Sequence, residues 1–394
     1  MTFGSSLGQT YFIGLFSGEI RSDLGLSHGD FGGLYSAATL SSAVLLLWTG
    51  SLIDRIDLRN YAYLVTLGLA AGCALMAVSN GPLLLFFALL ALRHLGQGLM
   101  SMAGATSMVR YLDHQKGKAN ALGGMGYSIS EAVLPSLVIV SLTLLNWRQS
   151  WLFWGGLLAL TLPLLARWLL KGQEVRHQNY LQSLAPDAAN RLSNSRRQWT
   201  RADVIRDPYF YLFLPVLLAQ PLLFTGFMFH QVQLVQEKGW NLAAWGGLFL
   251  FYALINALCK LLAGLMVDRY SAIRLVPIIC LPMGLGLLIL GLGDHFYIAV
   301  LYMGLLAVSV GIYSTLSSPF FSEMYGTLHL GAIKSLTTAA MVFTTAIAPV
   351  VMGWMIDKGV GMGAMALGGA GYTVFASTLA VFALYRREKN SVKG

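Results

Sequence analysis

Gly50-Ser51-Leu52-Ile53-Asp54-Arg55 returns as Gly264-Leu265-Met266-Val267-Asp268-Arg269, 214 positions further along, and each copy closes a long apolar segment. At the same offset Gly117 falls on Gly331 and Pro135 on Pro349. One Gly-x-x-x-Asp-Arg is a weak pattern; three agreeing registers read as a duplicated structural unit.

The solvent of that unit follows from composition. Of 394 residues, 56% are hydrophobic and 11% charged, far below the roughly 25% charged usual in soluble domains. Apolar segments recur near the ~20 residues a helix needs to cross the hydrocarbon. Twelve are predicted, at 2–20, 31–53, 61–79, 82–108, 119–144, 149–170, 209–233, 243–267, 275–293, 296–320, 331–353 and 361–385. They lack the alternation of a membrane barrel, and lipid leaves backbone groups no other partner, so helices are expected throughout.

The net charge of +9 could suggest nucleic acid, but its placement argues otherwise. With the loops assigned alternately to two sides, the inner segments hold 20 Lys and Arg against 10 Asp and Glu. The outer ones hold 4 basic and 6 acidic residues. The positive-inside rule accounts for this and puts both termini in the cytoplasm of a multi-pass plasma (inner) membrane protein. Cys73, Cys259 and Cys280 fall in apolar segments and are expected as packed side chains. The first segment lacks a basic n-region and a cleavage site, so it is expected to be a retained helix; its short length, with Ser5, Ser6, Gln9 and Thr10 inside it, points to a start within a longer helix.

One hydrophilic stretch, 171–207, divides six segments from six. It reads as a tether between bundles, with Arg191, Arg196, Arg197, Arg201 and Arg206 against an anionic inner leaflet. Thr200-Arg201-Ala202-Asp203 predicts a capping box opening a short helix before Pro208.

These residues carry a resemblance to the major facilitator superfamily. Its Gly-x-Leu-x-Asp-Arg-x-x-x-Arg hallmark stands here as Gly50, Leu52, Asp54, Arg55 and Arg59, with Asp57 where a second Gly is usual. The echo keeps Gly264, Asp268, Arg269 and Arg274. The resemblance implies an all-α integral membrane protein of two pseudo-symmetric six-helix bundles, 1–170 and 208–394 with a cytoplasmic tail, joined by a cytoplasmic loop at 171–207. It implies a monomeric secondary transporter working by alternating access, without a cofactor, driven by a proton or an exchanged anion. Gly50, Asp54, Arg55, Arg59, Gly264, Asp268 and Arg269 are the expected conformational gating residues: the glycine admits a neighbouring helix, and Asp54 makes a contact in one state only.

Charges that break the repeat are candidates for chemistry. The offset carries Arg93 to Ala307, Glu131 to Thr345 and Lys260 back to Leu46. A charge at a helix centre costs ~2.5–3.5 kcal/mol on insertion scales, so each is expected to face a bundle interior. Arg93 and Glu131 lie at matching depth. They are expected to pair, either structurally or as a proton-coupling pair with His94, Gln97 and Tyr127 extending a relay. The run Arg93-His94-Leu95-Gly96-Gln97-Gly98 is similar to an Arg and Gln-Gly motif on the family's fourth helix, with one extra residue between Arg and Gln.

Asn256-Ala257-Leu258-Cys259-Lys260-Leu261-Leu262-Ala263-Gly264 resembles the eighth helix of the oxalate:formate antiporter and monocarboxylate transporter branch, where a basic residue four before the Gly binds carboxylate. Here Lys replaces Arg, a point charge instead of a fork. The branch's first-helix signature and a basic residue in the eleventh helix are absent, so a single carboxylate is expected rather than a dicarboxylate. The competing reading of Lys260 is snorkelling toward the cytoplasm. With Lys260 and Arg93, the expected substrate-binding set is Gln9, Tyr11, Tyr35, Tyr252, Asn256 and Tyr313, with Thr10, His230 and Gln231 as further cavity candidates; packing is the rival role for each. His230 is expected near an outer gate and Lys334 as an interface anchor.

Gly123, Gly124 and Gly126 do not form a phosphate loop, which disfavours an ATP-driven pump. Rival functions are a drug or siderophore exporter and, more remotely, a membrane sensor or a membrane-embedded enzyme, for which no nucleophile, base and oxyanion-donor set is visible.

Overall fold

The computed structural model describes residues 1–50, 52–104, 116–170, 199–326 and 329–391. All of its regular elements are helical. They run as a 3₁₀ turn Gly4–Gly8, then α1 Thr10–Leu15, α2 Ser17–Leu24, α3 His28–Thr49, α4 Leu52–Arg55, α5 Leu58–Ala77 and α6 Pro82–Ala91, which continues as a π-helix over Leu92–Met100. Next come α7 Lys116–Leu144, α8 Trp147–Leu169, α9 Arg201–Arg206, α10 Pro208–Phe229, α11 Gln231–Glu237, α12 Leu242–Tyr270 and α13 Ala272–Leu275. A 3₁₀ turn at Val276–Ile278 precedes α14 Leu281–Leu292, α15 Phe296–Tyr325, α16 Leu330–Asp357 and α17 Met362–Ser391.

Eleven of these helices, or helix runs, are long and apolar enough to cross a membrane. The twelfth expected span, 2–20, is broken into pieces of five, six and eight residues, none of which spans alone. Large apolar side chains point outward, among them Leu47, Leu144, Leu160 and Leu265. Outward leucine is what a lipid solvent requires of a bundle whose helices satisfy their own backbones.

The duplication is visible helix by helix. α3 starts at His28 and α12 at Leu242, α5 at Leu58 and α13 at Ala272, α6 at Pro82 and α15 at Phe296, α7 at Lys116 and α16 at Leu330. Every one of these pairs is offset by 214. Ser27 caps α3 with a reciprocal Asp30 bond, and Asn241, 214 positions on, caps α12 through Ala244 N–H. Packing repeats too: α3 lies on α6 as α12 lies on α15, α5 on α8 as α14 on α17, and α1 on α7 as α10 on α16. The helix breaks at Phe16 and His230 are also 214 apart.

Contacts divide the chain into two units, Met1–Arg191 and Leu192–Gly394. The second carries a core of Phe210, Phe213, Val276, Phe320, Ile333 and Ala380 with their neighbours. Thr200 forms the expected capping box with Asp203 at the start of α9. Cys73 and Cys280 are buried, Cys259 is half-buried, and all three are free thiols.

Candidate substrate and coupling sites

The first unit builds its polar site where the repeat fails. At Gln9 the backbone turns extended, with φ −85° and ψ 152°, between the 3₁₀ turn and α1. Its counterpart by offset, Leu223, sits inside the unbroken α10. An interrupted membrane helix leaves carbonyls that need partners from elsewhere in the protein. Arg93 supplies one: Nη1 donates to the Gly8 carbonyl at 3.0 Å and Nε to Thr39 Oγ1 at 3.1 Å. Its Cζ stands 4.9 Å from the centre of the Tyr35 ring, a cation–π contact. Tyr35 shares a 2.6 Å hydrogen bond with Thr10, on the far side of the same break.

Arg93 reaches this position from the π-helical stretch Leu92–Met100. The matching stretch of α15 is ordinary α-helix. A π segment rotates side chains relative to the α register and recurs at functional sites. Two glycines let the elements meet: a Cβ on Gly8 would fall 2.2 Å from the Leu92 carbonyl, and one on Gly96 2.8 Å from the Gly8 Cα.

Glu131 is buried on α7. Beside it Ser130 and Ser6 join hydroxyls, and Tyr11 meets Tyr127 edge-to-face at 6.4 Å. Tyr127 lies within electrostatic reach of Glu131, Arg93, Tyr11 and Tyr35. Arg93's bonds to Gly8 and Thr39 differ from the direct Glu131 pair expected from matching depth, and Tyr127 stands in the field of both charges. The structure thus brings Arg93, Tyr35, Thr10, Tyr11, Tyr127 and Glu131 into one cluster beside Gln9. His94 is directed elsewhere, sharing a 3.1 Å bond between Nε2 and Thr49, because adjacent helical residues face apart. Gln97 is exposed. Thr39 and the Gly8 carbonyl were not anticipated; a carbonyl freed by a helix break leaves no mark in residue type.

In the second unit Tyr252, Asn256 and Lys260 fall at four-residue intervals, one stripe along α12. Tyr252 and Asn256 are buried and Lys260 half-buried. Asn256 Nδ2 donates to the Tyr252 hydroxyl at 3.3 Å, while its Oδ1 has no partner among the described residues. The Lys260 side chain has no hydrogen bond or ion pair among the described residues; only its carbonyl is engaged, by Thr315 Oγ1 at 3.5 Å. α15 presses closely here, since a Cβ on Gly311 would lie 2.8 Å from Cys259 Cβ and 3.0 Å from the Asn256 carbonyl. At the equivalent place in the first unit, Leu46 packs against Gly98.

The remaining candidates are more structural. Gln231 accepts from Trp245 Nε1 and donates to the Met228 carbonyl, both at 2.9 Å, and so braces α11 against α12. His230 bonds the Pro349 carbonyl at 2.9 Å. Tyr313 is half-buried on α15, and Lys334 is half-buried near the start of α16. Of the gating candidates, the side chains of Asp54, Arg55 and Asp268 lie outside the described residues. Arg59 donates to Tyr63 at 3.2 Å, and Asp57 caps α5 by accepting from Arg59 and Asn60 N–H. A Cβ on Gly50 would fall 2.7 Å from the Leu46 carbonyl of its own turn and 3.4 Å from Met102 Cε, and one on Gly264 would have nothing within 4 Å among the described residues. Among the described residues, a close backbone-to-backbone approach between elements is found at Gly8 and Gly96.

The sequence profile of the Major Facilitator Superfamily matches residues 1–327. The chain belongs to that superfamily. Among solved structures it is similar to the nucleoside transporter NupG, with 14% identity, 97% of each chain covered and a TM-score of 0.68. It is also similar to a bacterial homolog of the human lysosomal transporter Spinster in an inward-facing, occupied conformation, at 12% identity. That alignment covers 98% of this chain and 95% of the other, with a TM-score of 0.67. No curated protein sequence matches the chain. As a member of the major facilitator superfamily it is a multi-pass secondary transporter of small molecules and not an enzyme.

Proposed function

We propose that this major facilitator superfamily transporter moves a small organic anion, most simply a monocarboxylate, with Lys260 as the anion-binding charge and Glu131 as the proton-carrying group. The observation that carries the reading is the Lys260 ammonium: half-buried in a membrane helix, without a counter-charge among the described residues, one turn from an Asn256 oxygen that has no partner among them. A cation kept there at a cost of ~2.5–3.5 kcal/mol is balanced when an anion binds. The likeness of the Asn256–Gly264 run to the oxalate:formate antiporter and monocarboxylate transporter branch supports the same substrate class. The distribution of Lys and Arg supports a plasma or inner membrane setting with both termini cytoplasmic.

A thermal-shift screen of the purified protein against organic acids tests this, because a ligand that binds the folded state raises apparent stability. Stabilisation by a monocarboxylate in the wild type and its loss in Lys260→Ala is expected. A second reading, export of hydrophobic compounds, draws on the aromatic cluster around Tyr252, which meets Phe224 and Phe249, with contacts running on from Phe249 through Trp245 to Tyr302. Stabilisation by hydrophobic cations, unchanged in Lys260→Ala, would favour it and end the anion reading.

A further inference from the structure

Away from these sites, the second unit holds a basic hollow where α12 passes into α13, α15 ends and the late turns of α17 pass by. It encloses about 810 Å³ and is lined by Arg269, Arg274, Arg387, Glu323, Tyr270 and Trp199 among others. An adjoining hollow of about 240 Å³ shares Arg274 and Arg387 with it. On the positive-inside assignment this end of the unit faces the cytoplasm.

Charge accounting shows what the hollow lacks. Glu323 accepts from the Ser271 hydroxyl and from the Ala272 and Ile273 N–H groups, at 3.0 and 3.2 Å for the last two. Its carboxylate holds the start of α13, where Ser271 takes a φ of +71°, and keeps its negative charge, so three arginines against one glutamate leave the described lining net positive. Arg274 Nε lies 3.7 Å from Glu388, but both side chains are more than half exposed, and such a pair contributes little. Arg269 lies 5.2 Å over the Tyr270 ring, and its guanidinium has no hydrogen bond or ion pair among the described residues. Three guanidinium groups thus converge on a space large enough for an organic ligand. The planar forks of Arg match phosphate oxygens two at a time.

The position of the hollow narrows the ligand's source. Leu265 and Met266 on α12 and Phe382 and Tyr385 on α17 are exposed apolar side chains next to the lining residues in sequence. Arg386 lies 4.6 Å over Phe382. The hollow therefore adjoins the lipid-facing surface at its polar border, where basic pockets between membrane helices bind anionic head groups. We propose that it is a binding site for a phosphate-bearing anion, with Arg269 and Arg387 as its principal ligands and Arg274 as a third. This site is independent of the substrate reading at Lys260.

Two arms separate the sources of phosphate. In the first, short-chain phosphatidylglycerol is titrated into detergent-purified protein and followed by thermal shift and native mass spectrometry, with phosphatidylcholine as the reference lipid. In the second, glycerol 3-phosphate replaces the lipid. The expected result is stabilisation in at least one arm, with binding weakened about tenfold or more in Arg269→Gln/Arg387→Gln, as the loss of a charge-assisted hydrogen bond requires. Arg387→Lys, which keeps the charge and loses the fork, should fall between. Ligand-free melting temperatures of the variants establish that they fold. Lys358→Gln, at an exposed basic residue outside the hollow and at the opposite end of α16, should bind as the wild type does. Binding in neither arm, binding unchanged in the double variant, or equal weakening by Lys358→Gln would overturn the proposal.

Discussion

Arg93 Nη1 donates to the carbonyl of Gly8 across 3.0 Å, so a charge from a π-helical stretch closes a gap left by a broken membrane helix. All three oddities belong to the first half alone: at the matching offset the second half has Ala307, a regular α15 and an unbroken α10. Each explains the others. The break frees a carbonyl, the π stretch aims a guanidinium at it, and the guanidinium offsets both costs.

That mutual dependence predicts different outcomes for two conservative changes. Arg93→Lys retains the charge but offers no fork for Gly8 and Thr39 together, and Arg93→Gln also removes the charge that faces Tyr35. Losing a partner from a buried, charge-assisted set costs on the order of 2–4 kcal/mol. Both variants should melt at lower temperature, Arg93→Gln the more so, and Thr39→Ala should lose about 1 kcal/mol. Wild-type melting of Arg93→Gln would show that the latch contributes nothing.

Gly8 and Gly96 should tolerate no methyl group. The added carbon meets backbone within 3 Å in both cases, and backbone cannot rotate away as a side chain can. Gly8→Ala and Gly96→Ala are each expected to destabilise by about 1–3 kcal/mol. Because both press on one contact, the double variant should lose less than the sum. Melting of the four proteins of this cycle decides the point, and strict additivity would place the two glycines in separate contacts.

Asn256→Leu separates binding from folding. The Oδ1 atom is buried without a partner among the described residues, and replacing an unsatisfied polar group by an apolar one is close to neutral or stabilising for the fold. Melting should hold or rise while stabilisation by the anionic ligand falls. Loss of stability together with retained ligand response would make Asn256 a packing residue.

Glu131→Gln should leave anion binding measurable and remove its coupling to protons. One proton moved with one monocarboxylate carries no net charge, so the readout is the proton itself: in proteoliposomes with a lumenal pH dye, wild-type carboxylate uptake is expected to acidify the lumen and to speed up as the outside is acidified, and Glu131→Gln to do neither. Equal lumenal acidification in the two proteins would take Glu131 out of the coupling.

The repeat was readable because duplicated helices keep their length in register with the bilayer: His28 with Leu242 and Pro82 with Phe296 start their helices 214 apart, as the motif did. Intramembrane charge was readable for a related reason, since Arg93, Glu131 and Lys260 stand out wherever apolar residues are the rule. The partners were not. Thr39 is one of several hydroxyls on α3, and Gly8 contributes an atom every residue has. Composition does not distinguish a π turn from an α turn, so the rotation of Arg93 toward Gly8 was invisible. Expecting the close approach at Gly50 followed the motif; among the described residues Gly264, its repeat partner, faces open space, and a close backbone-to-backbone approach is found at Gly8 and Gly96.

Phe16 and His230, at the same place in the two halves, interrupt their helices with φ and ψ of −89° and −5°, and −95° and 20°. Backbone bonds nevertheless continue past each, from Ile20 to Phe16 and from Leu234 to His230. Each terminal segment is thus jointed rather than detached, and each is tied at its tip: α2 by Asp23 to Arg148, and α11 by Glu237, which accepts from the Met362 and Gly363 N–H groups. In amide exchange both tips are therefore expected to open with the helices they extend and not ahead of them.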